Sequence, residues 1–381
     1  MSLAELKGLM AETAKEAAWA ALKEDLEKLA SQSQAASAQR AASGHSTTVS
    51  GAAVVSPSRL ELAHLETSAC RFFASGLADS TRKAYASGQA RYLKFCDRFS
   101  FIPLSTSEHR LCLFVSHLAE EGLSHKTIKS YLSAVRHLQI QAGLGDPFTA
   151  TLPQLAYVLK GIRRQQGPRL KVDKRLPITP AELRILKDVW AKRSPFYDAA
   201  MLWAAVCTGF FGFMRAREFT VSSVAAFDAS VHLAPQDVSI DSHVTPSVVR
   251  IHLKQSKTDP FRQGVNIFLG RSKQEICPVA ALLSYMALRG NAQGPLFLYD
   301  DGTSLSRNRL VREVQRALTE AGRECTGFTG HSFRIGAATT AKARGLDDST
   351  IKALGRCKST AFESYIRIPG SSLAGFSQSL V

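Results

Sequence analysis

Between residues 160 and 180 the chain reads KGIRRQQGPRLKVDKRLPITP, a basic run broken by Gly161, Gly167, Pro168, Pro177 and Pro180. Proline removes a backbone donor and glycine frees φ, so regular structure does not continue through such a stretch. It reads as an exposed linker. A chain of 381 residues also exceeds the roughly 250 at which a single core stops growing. Two domains are therefore expected, one at 59–165 and one at 179–381, joined by a linker at 166–178.

Both flanks carry helical periodicity. ADSTRKAYASGQARYLKFCDRF offers Asp79 or Ser80 as an N-cap and then spaces Tyr85, Tyr92 and Phe95 along one face. SEHRLCLFVSHLAEEG and SHKTIKSYLSAVRHLQIQAG repeat the pattern, each closing on glycine. Beyond the linker, Thr179 and Glu182 have capping-box spacing and open a further helix. Strand-like alternation appears once, in SVVRIHLKQSKTDPFRQGVNIFLG, where two β-rich runs flank a turn. The expected fold class is mainly α with a small antiparallel β-sheet. Residues 3–30 predict an amphipathic helix, and the Ser, Ala, Gln and Gly that follow cannot bury enough apolar area to fold, so residues 1–58 read as a helix and a tether.

The charge is uneven. Of 48 Lys and Arg against 32 Asp and Glu, residues 1–70 hold six against eight, leaving 42 against 24 in the remainder. A net +16 for the chain, of which residues 71–381 carry +18 against −2 before them, is the footprint of a protein that meets phosphates, and the ordinary alternative is a solvated positive surface. In the first domain the polar faces present Arg82, Lys83, Arg91, Lys126, Lys129 and Arg136, which suit contacts to a DNA backbone. The seven cysteines include no C-x-x-C pair and sit mostly in apolar runs, so they read as buried thiols of a reducing compartment. No run approaches the ~20 apolar residues of a membrane span. A soluble intracellular protein is expected, nuclear in a eukaryote and otherwise cytoplasmic, with no membrane partner.

Four places in the second domain combine basic residues with glycines or helix starts. CTGFFGFMRAREF is an apolar helix ending abruptly in Arg215, Ala216, Arg217 and Glu218. Lys257 sits on the hairpin loop; TGHSFRIGAAT places His331 three residues before Arg334; LGRCKSTAFESYIRIP places Arg356 nine residues before Tyr365. Taken singly, these read as a solvent-facing helix end, a turn lysine, a chance pair and a packing aromatic. Jointly they supply what phosphoryl transfer without a metal requires: guanidiniums for the non-bridging oxygens, a donor for the leaving alkoxide and a phenol as nucleophile. The chain contains no GxxxxGK[ST] loop, no dense carboxylate set and no GxSxG elbow, which argues against ATPase, nuclease and hydrolase chemistry.

The order and spacing of these motifs resemble the tyrosine recombinase (phage integrase) family. GFMRAREF is similar to its G-[LM]-R-x-[SG]-E-L box, KQSKTDPFRQGV to its hairpin box, GHSFRIGAAT to its H-x-x-R box, and LGRCKSTAFESYIR to its last box. The resemblance implies catalytic roles for Arg215, Lys257, His331, Arg334, Arg356 and Tyr365, with Lys254 as a less favoured lysine. ICPVAALLSYM and GRCKSTAFESYIRIP look closest to recombinases of eukaryotic mobile elements, the DIRS-like and Crypton-type groups.

Two departures stand out. Arg217 occupies a position where the family keeps Ser or Gly, and Arg356 one where it keeps His or Trp. The resemblance further implies a two-domain DNA clamp, a core-binding domain plus a catalytic domain, acting as a homo-tetramer on two duplex DNA sites without cofactor. The final GSSLAGFSQSLV would be either a segment docking between protomers or a frayed tail. Alternatives are a transposon-derived DNA-binding protein that has lost the chemistry and a type IB topoisomerase. If the basic faces neutralise phosphates, non-specific duplex binding falls steeply as salt rises, which a salt titration measures.

Overall fold

The computed structural model describes residues 57–104, 106–167, 175–257, 259, 261–357, 363 and 365–367. The helix expected at 3–30, all but the end of the tether and the C-terminal GSSLAGFSQSLV lie outside them. The chain divides into two compact units, Met1–Lys171 and Val172–Val381.

The first unit is all helix: α1 (Pro57–Ser75), α2 (Asp79–Arg98), α3 (Glu108–Glu120), α4 (His125–Gln141) and α5 (Pro153–Gln166). Ser107 caps α3 by accepting from the Arg110 N–H at 3.3 Å, and Ser124 caps α4 through Thr127 at 3.2 Å. Gly122 and Gly143 follow these helices at φ +83° and +74°, a conformation open to residues without Cβ. The expected cap of α2 is corrected. Ala78 holds that position with no side-chain bond, and Asp79 lies in the first turn paired with Arg82, where its carboxylate meets the positive helix end. The core is built from Tyr92, Phe95, Phe114, Leu118, Ile128 and Leu132 with their neighbours. Helices α2 and α4 cross closely because Gly88 has no side chain; a Cβ there would stand 2.7 Å from that of Ala134.

The second unit contains α6 (Pro180–Ala191), α7 (Phe196–Phe211), the single turn α8 (Ala216–Phe219), β1 (Val238–Ile240), β2 (Val248–Leu253), β3 (Val265–Gly270), α9 (Pro278–Arg289), α10 (Arg307–Glu320), α11 (Ser332–Ala343) and α12 (Asp348–Leu354). The capping box of α6 is present: Glu182 accepts from the Thr179 N–H at 2.8 Å, and the Thr179 hydroxyl accepts from Ala181 at 3.2 Å. The sheet is antiparallel in the order β1-β2-β3, with Ile251 opposite both Val238 and Ile267. Val249, Ile251, Leu253, Ile267 and Leu269 point inward, as alternation along a half-buried strand requires. Strand β1 is too short, at three residues, to show alternation in sequence.

Two expectations are revised by burial. The end of the presumed linker is tied down: the Leu176 side chain stays exposed, but its N–H donates to Gly327 O at 2.9 Å, Ile178 donates to Ser332 O at 3.0 Å, and Ile178 is fully buried. An apolar side chain and two backbone hydrogen bonds bring this segment into the second unit's core. The cysteines also divide: Cys96, Cys207 and Cys277 are buried, Cys112, Cys325 and Cys357 are half-buried, and Cys70 is exposed on α1. Among the described residues no helix is long and apolar enough to cross a membrane.

The contact under α11 is unusually tight, since a Cβ on Gly336 would lie 1.7 Å from the Ile178 carbonyl oxygen. Gly336→Ala should therefore destabilise the second unit by about 3 kcal/mol or more, read as a lower denaturation midpoint, while Gly345→Ala, with open space around it, tests only the cost of positive φ.

Candidate active site

The site is assembled around the turn Gly212–Met214, which leaves the C-terminus of α7 and delivers Arg215 to the start of α8. Its course is set by close packing. A Cβ on Gly212 would meet Thr208 O at 2.7 Å and Ile267 Cγ2 at 3.3 Å, so the turn lies directly against α7 and the sheet. The Phe219 ring sits on Gly209, where a Cβ would be 2.8 Å away, and this fixes α8 to α7. Phe213 takes φ +49°, a conformation costly for a residue with a side chain, and its carbonyl is turned toward two guanidiniums.

One of these is Arg334, on α11 and only 1% exposed. Its Nη1 donates to Phe213 O at 3.0 Å, while its Nη2 bonds Gly355 O and reaches Cys357 Sγ at 3.0 Å. Gly355 O closes α12 and Phe213 O follows α7, so two helix C-termini turn partial negative charge on this cation. A buried charge is tolerable only with such compensation. Its Nε–H has no hydrogen-bond partner.

Glu218 supplies the carboxylate of the cluster, with its side chain 5% exposed. Oε1 accepts from Arg215 Nη1 at 2.7 Å; Oε2 accepts from the Arg215 backbone N–H at 2.9 Å and from Arg356 Nη2 at 3.1 Å. Arg356 also donates to Gly212 O at 2.9 Å and to Phe213 O at 3.3 Å. Burial lowers the Arg356 pKa and Glu218 opposes the shift.

His331 stands at the N-cap of α11, three residues before Arg334. Burial lowers its pKa first, and Arg175, Arg307, Arg215 and Arg334 lower it further. Its Nδ1 is buried without a hydrogen-bond partner. Arg175 and Arg307 carry no motif that sequence reasoning could use; only folding brings them near the imidazole.

Tyr365 is half-buried, and the Arg334 guanidinium lies 5.4 Å from its ring centroid. Thr339, on α11, holds this segment: its hydroxyl donates to Tyr365 O at 3.1 Å and accepts from the Arg367 N–H at 3.1 Å. Neither role was legible in a lone threonine of an alanine-rich helix.

Not every anticipated residue joins the cluster. Lys257 is exposed on the loop after β2. That loop does form one wall, through Ser256 and Asp259, of a cavity of about 480 Å³ whose other wall includes Arg356 and Cys357. Lys254 is occupied elsewhere, with Asp237 Oδ2 at 2.6 Å and Ala229 O at 2.7 Å. Arg217 is exposed. In the first unit Arg82, Arg91 and Arg136 pair with Asp79, Glu121 and Asp146, whereas Lys83, Lys126 and Lys129 are exposed without an acidic partner among the described residues. No group of three or more His, Cys, Asp or Glu among the described residues could hold a metal ion.

A helical chain in which a three-stranded antiparallel sheet backs a cluster of arginines, histidine and tyrosine has the fold of the tyrosine recombinases. Solved structures share it. A XerH site-specific recombinase bound to palindromic difH substrate superimposes with a TM-score of 0.51 at 16% identity, covering 77% of this chain and 78% of its own. A lambda integrase dimer bound to a COC′ core site gives a TM-score of 0.52 at 16% identity, covering 80% and 95%. In sequence, the integrase/recombinase xerD homolog of Selenomonas ruminantium is 27% identical over 292 residues, 74% of this chain and 79% of that protein. No protein-family model matches the chain. The structural likenesses establish the fold, and the sequence similarity supports the tyrosine recombinase/integrase family.

Two expectations follow from the geometry. His331 has a folded pKa below its unfolded value of about 6.5, so the unfolded chain binds more protons as pH falls below that value and stability drops with it. Between pH 7.5 and 5.5 the wild type should lose more in melting temperature than His331→Gln. Thr339→Val, which keeps shape but releases the tyrosine segment, should slow any reaction at Tyr365 roughly tenfold or more at unchanged duplex affinity, measured as single-turnover rate against binding.

Proposed function

We propose that this protein is a site-specific DNA recombinase or integrase that cuts and rejoins duplex DNA through a phosphotyrosine intermediate. The observation that carries the reading is the convergence of Arg215, His331 and Tyr365 on the buried Arg334, reached from separate elements of the second unit. A folded chain brings three positive or potentially positive groups together where a dianionic transition state forms between them.

In this mechanism the Tyr365 oxygen attacks the scissile phosphorus and forms a 3′-phosphotyrosyl bond as the bond to the 5′-oxygen breaks. Arg215 and Arg334 neutralise the non-bridging oxygens. Lys257 delivers a proton to the departing 5′-oxygen from the hairpin loop. A 5′-hydroxyl from a partner strand reverses the step, and because the phosphodiester energy is kept in the tyrosyl ester, no nucleotide hydrolysis is required. The exposed Lys83, Lys126 and Lys129 contribute backbone contacts from the first unit, and strand exchange proceeds in a homo-tetramer on two sites. The last box and ICPVAALLSYM support an affinity with DIRS-like and Crypton-type recombinases.

The test is to incubate wild type with a pool of nicked duplexes of randomised sequence, capture protein–DNA adducts under denaturing conditions and sequence them. An adduct from wild type that is lost in Tyr365→Phe is expected. Failure of wild type to form any adduct would leave a DNA-binding protein without chemistry. An adduct accompanied by plasmid relaxation but no exchange between two recovered sites would indicate a topoisomerase.

A further inference from the structure

Arg356 occupies a place where the backbone disfavours it. It follows α12 in a left-handed conformation, φ +52°, with its N–H on Ala353 O at 2.9 Å and the next N–H, of Cys357, on Lys352 O at 2.9 Å. This is the Schellman arrangement of a helix end, in which the left-handed residue is usually glycine because any Cβ is strained there. An arginine held against that cost implies a use for its side chain.

The side chain reaches the turn before Arg215. Its two terminal nitrogens meet Gly212 O, Phe213 O and Glu218 Oε2 at 2.9, 3.3 and 3.1 Å. Glu218 in turn holds both the guanidinium and the backbone N–H of Arg215. We infer that Arg356 is a positioning residue, which sets Arg215 through Glu218 and the Gly212–Phe213 turn and does not itself ligate the phosphate.

Charge gives the physical reason. Glu218 alone would neutralise Arg215 and draw it away from an anionic substrate. A second cation on the same carboxylate leaves the trio Arg215–Glu218–Arg356 with a net positive charge, while shared hydrogen bonds fix its geometry. Because Arg334 also donates to Phe213 O, one carbonyl registers both arginines. Arg356 thus replaces the phosphate-contacting donor that a histidine or tryptophan would supply with a brace behind the arginine that makes the contact.

The inference rests on the recombinase reading, and a double-mutant cycle on a duplex recovered from the randomised pool tests it. Arg356→Ala and Glu218→Gln should each lower the single-turnover cleavage rate roughly 100-fold with duplex Kd changed less than about threefold, and the double variant should be no slower than Arg356→Ala by more than about threefold. Arg356→Lys, able to reach Glu218 but not to fork across two carbonyls, should recover part of the rate. Arg356→Gly relieves the backbone strain; a folded, thermally stable Arg356→Gly protein that remains slow excludes loss of folding as the cause.

Losses that multiply in the double variant would overturn the inference, since an arginine on the phosphate acts independently of Glu218. So would an Arg356→Ala protein that cleaves at the wild-type rate. Wild type that forms no adduct defeats the recombinase function, and this inference with it, whereas an active wild type with multiplying losses defeats only the brace.

Discussion

The carbonyl of Phe213 accepts hydrogen bonds from Arg334 and Arg356, and the candidate site depends on that shared acceptor. Arg334 is a cation enclosed by the core of the second unit, a placement that would cost several kcal/mol without compensation. Compensation comes from backbone oxygens at the ends of α7 and α12, whose directions are set by helix geometry and not by side-chain choice. The site is therefore anchored to rigid elements, and Arg215 leaves the same turn one residue after Met214.

Several glycines of the second unit serve as close-contact points. Gly209 receives the Phe219 ring, Gly212 lies against the sheet, and Gly336 admits the backbone of residue 178 beneath α11. Each brings an arginine-bearing or histidine-bearing element within reach of its partners. Packing of this density transmits small displacements, so the distances among Arg215, Glu218 and Arg356 are tied to the core as a whole.

Much of the architecture was legible because its signals are local. Helical spacing of apolar residues, Ser and Thr caps, the capping box at Thr179 and the single alternating hairpin each act within a few residues. The Ala78 cap, strand β1 and the burial of Ile178 were not legible, because each depends on what the rest of the chain packs against it. The candidate site was legible in part. Motif spacing nominated Arg215, His331, Arg334, Arg356 and Tyr365, but spacing cannot say which way a guanidinium turns, and Arg356 turns toward Glu218. Thr339 and Arg307 have no local signature, and Lys257, nominated by its hairpin, is exposed on the loop after β2.

By itself the sequence determined the helical blocks, the division between two units, the excess of positive charge in the folded part and the order of the residues nominated for the site. Those are properties of composition and spacing, and they persist in any arrangement of the chain. Only the tertiary structure decided which arginine is buried, which pairs with a carboxylate and which side chain tethers the tyrosine. Apart from Arg215 and Glu218, three residues apart, those outcomes depend on groups between 21 and 144 residues apart meeting at hydrogen-bond distance, and desolvation assigns each charge its partner only once the core has closed.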